Sequence, residues 1–165
     1  MLERITFNSA SSESVVMVSS LSVEVPFRGG CACGDIRYEC SDGPVAMFNC
    51  HCKDCQRVSG GTFSTVALIK ENSLKLIRGK PKYHRSIGAV GRWTDRGFCV
   101  ECGTHLFAKG EVAPGYLTIK PGSLDDASWF RPTIDSWTSC VQEWLILDPK
   151  LQKAHKNPNV LRKTT

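Results

Sequence analysis

No stretch of this chain approaches the roughly 18 consecutive apolar residues of a membrane-spanning helix, and residues 1–24 hold only the short apolar run Val15-Val16-Met17-Val18, with Glu3 and Glu13 nearby. A secretory leader needs roughly 7–15 apolar residues, so export is not expected and a reducing, cytoplasmic compartment is. That expectation removes the first explanation for many cysteines, a disulfide framework built in an oxidising space. No internal repeat of fixed period is present, and helical patterns are few. Acid is missing from the last sixteen residues, where Lys150, Lys153, Lys156, Arg162 and Lys163 match the whole formal charge of +5. No aromatic residues interleave with these cations, so the tail lacks the stacking platform of a nucleic-acid binder and is expected to be a solvated end.

Cysteine, by contrast, is abundant: nine in 165 residues. Seven fall into three clusters, Cys31-Ala32-Cys33, Cys50-His51-Cys52-Lys53-Asp54-Cys55 and Cys99-Val100-Glu101-Cys102. Cysteines two apart sit awkwardly for a mutual disulfide but can chelate one ion. Seven thiolates are what one four-ligand and one three-ligand zinc site require, so two zinc ions per chain are expected. Cys99-x-x-Cys102-Gly103 has the form of a zinc knuckle, and Cys31-x-Cys33-Gly34 is its obvious partner. Together they make a closed, structural Cys₄ site. Cys50, Cys52 and Cys55 remain as a local triad. Cys40, Cys140 or a histidine could close that triad into a second structural site. A lone cysteine in an alternating strand usually behaves as a small hydrophobe, so the expectation is a three-ligand site with one open position, the usual arrangement of a catalytic zinc.

The length fits one domain of about 100–150 residues with extensions: a Ser-rich, flexible segment over 1–25, a zinc-binding domain over 26–158 and a basic tail over 159–165. Val15–Val18 could add an edge strand. Gly29-Gly30-Cys31-Ala32-Cys33-Gly34 is expected to be a turn whose glycines take positive φ. Ile36, Tyr38 and Cys40 alternate as a strand does, and further strands are expected at Val45–Asn49, Thr62–Ile69, Ser73–Ile77, Tyr83–Ser86, Arg92–Phe98, His105–Ala108 and Tyr116–Lys120. Helical patterns are confined to Cys52–Ser59, Leu124–Trp129 and Cys140–Leu145. The fold class is mainly β.

Several of these motifs occur together in a known order. Gly29-Gly30-Cys31-x-Cys33-Gly34 with Ile36-Arg37-Tyr38, then Cys50-His51-Cys52-x-x-Cys55-Gln56-Arg57 leading to Ser59-Gly60, then Gly97-Phe98-Cys99-x-x-Cys102-Gly103-Thr104-x-Leu106-Phe107 and Gly122-Ser123-Leu124-Asp125-Asp126, resemble the glutathione-dependent formaldehyde-activating enzyme family, which includes centromere protein V. With Trp137 and a late proline the resemblance covers about residues 26–158. It implies stacked antiparallel sheets with short helices, like the Mss4-type zinc proteins, a structural zinc on Cys31, Cys33, Cys99 and Cys102, and a catalytic zinc on Cys50, Cys52 and Cys55. Pro132-Thr133-Ile134 departs from the family, many of whose members carry a histidine before the isoleucine, and no role tied to that histidine carries over.

The activity so implied is that of a carbon–sulfur lyase, forming or cleaving an adduct of glutathione with formaldehyde or a larger electrophile, with glutathione as co-substrate. An open zinc site can bind a thiol as thiolate because coordination lowers its pKa. His51 is a candidate proton carrier, though its place between two ligands favours a packing or outer-shell role. Lys53, Arg57 and Arg96 are candidates for the carboxylates of glutathione. His84, His105 and His155 have no positional argument. The expected partner is a small-molecule thiol adduct rather than a membrane or nucleic acid, and a homodimer is compatible with the sequence. The other class open to these residues is a non-catalytic zinc module that binds a protein or nucleic acid, in the manner of centromere protein V or Mss4-like proteins.

Overall fold

Short alternating runs separated by glycine and proline turns give strands rather than helices, and they account for almost all regular structure in the computed structural model, which describes residues 5–9, 12–16, 23–88 and 90–158. The expected basic tail over 159–165 lies outside the described residues, as does most of the segment before residue 23. Within that segment Ile5–Ser9 (β1) and Ser12–Val16 (β2) pair antiparallel.

The strands that follow are Phe27–Gly30 (β3), Arg37–Cys40 (β4), Ala46–Cys50 (β5), Ser64–Lys70 (β6), Leu74–Arg78 (β7), Lys82–Ile87 (β8), Trp93–Phe98 (β9), His105–Gly110 (β10), Tyr116–Ile119 (β11), Ile134–Ser136 (β12) and Gln152–Ala154 (β13), with one α-helix among the described residues, Lys53–Ser59 (α1). Three strands form a small sheet in the order β3-β4-β7, and eight form a large one in the order β13-β12-β5-β6-β11-β10-β9-β8. The fold is mainly β, as expected. The large sheet is mixed rather than purely antiparallel, because β12 runs parallel to both β5 and β13.

The core lies between the two sheets. Phe27, Tyr38 and Cys40 from the small sheet meet Ala67, Ile69, Leu106, Phe107, Leu117 and Ile119 from the large one. Tyr38 meets Phe107 edge-on, with ring centroids 5.1 Å apart, a geometry that aromatic quadrupoles favour. Its buried hydroxyl is satisfied by Ser123 Oγ at 2.8 Å.

Three expectations are corrected. Gly29 and Gly30 belong to β3 rather than to a positive-φ turn, and only Gly34 of that group takes positive φ, at 79°. Glycine is needed at 29 for space: a Cβ there would lie 2.3 Å from the Tyr38 hydroxyl and 2.4 Å from the Ser123 carbonyl oxygen. Leu124–Trp129 and Cys140–Leu145 are not helical. The first satisfies its backbone elsewhere, Asp125 N donating to Arg28 O at 3.0 Å and Leu124 bridging to Gly29. The strands β12 and β13 add to the expected set, each being three residues long.

Candidate functional site

The two knuckles meet at one end of the core. The sulfurs of Cys31, Cys33, Cys99 and Cys102 all lie within 4.8 Å of one another. Cys31 and Cys33 are 3.4 Å apart, and Cys33 and Cys99 3.7 Å. Sulfurs held tetrahedrally about 2.3 Å from a zinc stand about 3.8 Å apart, so this donor set fits one zinc ion. The loops are pre-shaped for it: Gly103 N donates to Cys99 O at 2.9 Å, Gly34 N to Cys31 O at 3.0 Å and Ile36 N to Cys31 Sγ at 3.2 Å. Thr104 ties the knuckles together. Its hydroxyl lies 3.1 Å from Cys102 Sγ and accepts from Ala32 N at 3.1 Å, and its hydrogen bond helps lower the Cys102 thiol to about 6.

The triad forms at the end of β5, where the chain turns into α1. Cys50 closes the strand, Cys52 is the helix N-cap, and its sulfur accepts from Cys55 N at 3.4 Å. Gly60, at φ 67°, ends the helix, its amide bonding Gln56 O. The three sulfurs lie within 4.8 Å of one another, and no fourth cysteine, histidine or carboxylate joins them among the described residues. Cys40 is buried with its sulfur 3.4 Å from Ser73 Oγ, and Cys140 has its sulfur 3.9 Å from Ser139 Oγ. Within the triad the Cys52 thiol is held far below its ordinary value by hydrogen bonds from Cys50, then Cys55, so negative charge settles there first. Three clustered soft donors, one already favoured as thiolate, can also hold a zinc ion.

Two clefts open beside the triad. The first, about 200 Å³, is lined by all three triad cysteines together with Phe48, Val58, Val66, Phe107, Arg96 and Lys120 among others. The second, about 640 Å³, is lined by Arg57, Lys82, His84, Arg96 and His105 along with Asp54 and Val58. Asp54, Val58 and Arg96 line both, so the clefts are neighbours. Lys120 Nζ donates to Ser64 Oγ at 2.6 Å, and Ser64 is the cross-strand partner of Cys50. Burial holds the Lys120 pKa below its ordinary value, outweighing the upward pull of the Cys55 and Cys50 thiols. His105 is held below its ordinary value by burial and by Lys120 and Arg96.

Against known proteins, the sequence profile of the family described as glutathione-dependent formaldehyde-activating enzyme matches residues 26–140, well over half of the chain. The chain belongs to this family. It is also similar to a crystal structure of a Rhodobacter sphaeroides protein over 59% of this chain and 87% of that one, at 20% identity and a TM-score of 0.49.

Within this family frame, the residues singled out from sequence separate. Arg57 and Arg96 line the second cleft, whereas Lys53 lines neither and contacts Gln56 Oε1 at 3.3 Å on the exposed face of α1. His51 is fully buried and pairs with Asp135, Nε2 to Oδ1 at 3.2 Å. Asp135 also accepts from Asn49 Nδ2 at 3.0 Å and lies 3.1 Å from Lys153 Nζ. Sequence reasoning misses Lys120, Lys82, His84 and His105. A lysine closing an alternating strand carries no local mark, and only the pairing of β11 with β6 brings Lys120 beside Cys50.

The His51–Asp135 network braces the triad loop against β12, helped by His51 N donating to Ser136 O at 2.9 Å and Gln56 Nε2 to His51 O at 2.6 Å. Burial raises the Asp135 pKa, but the donors Asn49, His51 and Lys153 outweigh it and the net shift is downward. The sign follows: this stabilisation is present above the unfolded-state value of about 3.9 and is lost as pH falls through the lower native value. Asp135→Ala is expected to cost about 3–5 kcal/mol, because it strands a buried partner set. Urea unfolding at pH 7 measures it, and a cost within about 1 kcal/mol, ordinary for any point substitution, would remove the bracing role.

No helix among the described residues is long and apolar enough to cross a membrane.

Proposed function

We propose that the chain is a zinc-dependent carbon–sulfur lyase acting on a glutathione adduct, with Cys31, Cys33, Cys99 and Cys102 holding a structural zinc and Cys50, Cys52 and Cys55 a catalytic one. The observation that carries this reading is the three-sulfur cluster in the wall of a cleft, beside a second cleft lined by cations. Zinc on the triad would supply an open position that takes the glutathione sulfur as thiolate. In the second cleft Arg57, Lys82 and Arg96 outnumber the one acid, Asp54, and offer charge-assisted hydrogen bonds to the two carboxylates of glutathione. Lys120, half-buried near Cys50, would serve as a donor to a carbonyl oxygen of the electrophile as it gains charge.

The reaction so supported forms one carbon–sulfur bond, opens the carbonyl π bond and moves the thiol proton to the new hydroxyl, with no change of oxidation state. Cleavage is the reverse. His51, being buried against Asp135, positions the triad loop rather than carrying that proton.

Metal analysis and isothermal titration with glutathione test the reading. Two zinc ions per chain and saturable glutathione binding are expected. Lys120→Met should lower kcat about 100-fold at unchanged zinc content. One zinc per chain, or four protein ligands at both metals, overturns the proposal and favours the non-catalytic zinc module.

A further inference from the structure

The first cleft has a character that a one-carbon electrophile does not use. Its volume is about 200 Å³, whereas roughly 10–15 Å³ of such space suffices for a water molecule. Formaldehyde, with two heavy atoms, is little larger than water. Besides the triad, Asp54, Arg92, Arg96, Lys120 and Asn157 bring polar groups to the lining, and Phe48, Val58 and Val66 give it carbon walls. Val66 is almost wholly buried, at 4% exposure. At the rim stand Val90, on the β8–β9 connection, and Val112, on the β10–β11 connection, exposed at 46% and 58%. Two large apolar side chains left in water at the mouth of an apolar recess extend its lining outward rather than closing it. Neither serves the core cluster.

Cations line both clefts, Arg92, Arg96 and Lys120 the first and Arg57, Lys82 and Arg96 the second, and Asp54, Val58 and Arg96 border both. A molecule with its sulfur at the triad and its carboxylates in the second cleft would direct whatever is bonded to that sulfur into the first.

We infer that the electrophile-derived part of the adduct is an apolar group of several carbons, such as the residue of a branched or aromatic aldehyde, seated among Phe48, Val58 and Val66 with Val90 and Val112 at the entrance. This rests on the glutathione-adduct reading above. Val112 is then a specificity-determining residue, because it is an exposed apolar side chain in the lining of the cleft that takes the longer chain.

Binding of a series of S-alkylglutathiones, methyl through hexyl, to the zinc-loaded protein tests the assignment by isothermal titration without requiring turnover. The sulfur and the peptide are constant along the series, so only the alkyl group varies. Affinity is expected to rise roughly threefold per methylene, on the order of 100-fold from methyl to hexyl, and Val112→Asp should flatten the series by roughly tenfold or more. Glutathione binding with a flat alkyl series overturns this inference and leaves the lyase reading standing. A rising series that Val112→Asp does not flatten also overturns it, by putting the alkyl group elsewhere. If neither glutathione nor any S-alkyl derivative binds, the lyase reading falls with it.

Discussion

Cys102→Ser is expected to leave the chain unfolded at room temperature, although the residue removed is exposed and packs against nothing in the core. Deleting an exposed sulfur ordinarily changes stability by no more than about 0.5 kcal/mol. Here the sulfur is one of four that converge within 4.8 Å, and a structural zinc contributes on the order of 10 kcal/mol to folding in small metallodomains. That is comparable to the whole stability of a typical domain, about 5–15 kcal/mol. The four ligands also join parts of the chain that are 66 residues apart between Cys33 and Cys99, so losing the ion reopens a long loop whose closure entropy must be met by packing alone. Circular dichroism and zinc content of the purified variant measure this. A folded variant with a melting temperature within a few degrees of the parent would show that the tetrad holds no stabilising metal.

The exposed position of Cys102 is what makes this substitution informative. Cys99, at 1% exposure, sits in the core cluster, so its replacement would mix lost packing with lost ligation. Thr104 extends the same logic: by bonding both Cys102 Sγ and Ala32 N it fixes one knuckle relative to the other. The tetrad is thereby a clamp between the small sheet, through the loop after β3, and the large one, through the loop between β9 and β10.

Much of this arrangement is written locally, and where it is not, the sequence is silent for a physical reason. Cysteine clusters are legible because ligand spacing is a short-range property, and alternating strands are legible because side-chain direction has a period of two. Strands β5, β6, β8, β9 and β11 accordingly lie close to their expected bounds. The parallel strand β12 escapes because its three residues pair with β5, far back in the chain, Ile134 with Phe48, and no local pattern records such a partner. Lys120 escapes for the same reason: its neighbours at the triad arrive through two successive strand pairings. Gly29 is ambiguous in the sequence because two different needs, positive φ and close approach, both select glycine, and only the Tyr38 hydroxyl above it tells them apart. Lys53 shows the converse error. It directly follows Cys52 yet lines neither cleft, since the helix turns its side chain onto the exposed face of α1, and nearness in sequence to a ligand does not put a side chain in the site.

Cys52→Ser should have the opposite signature, removing the second metal and on the order of 1000-fold of the activity while leaving the fold intact. Cys52 caps a helix of seven residues that contains no buried residue, so little core packing depends on it. Serine is among the best N-cap residues, and its oxygen can accept from Cys55 N as the sulfur does at 3.4 Å. The cost in stability is therefore expected to stay within about 1 kcal/mol. The cost in ligation is different in kind, because an alcohol is a poor ligand for a thiophilic ion and two remaining thiolates cannot hold it. The His51–Asp135–Asn49 network is built from neighbouring residues and survives the change, which keeps the loop in place. Zinc content should fall by one ion per chain with the melting temperature within a few degrees of the parent. Unfolding as complete as that of Cys102→Ser would make the triad a second structural site, and unchanged turnover would separate the chemistry from these three sulfurs altogether.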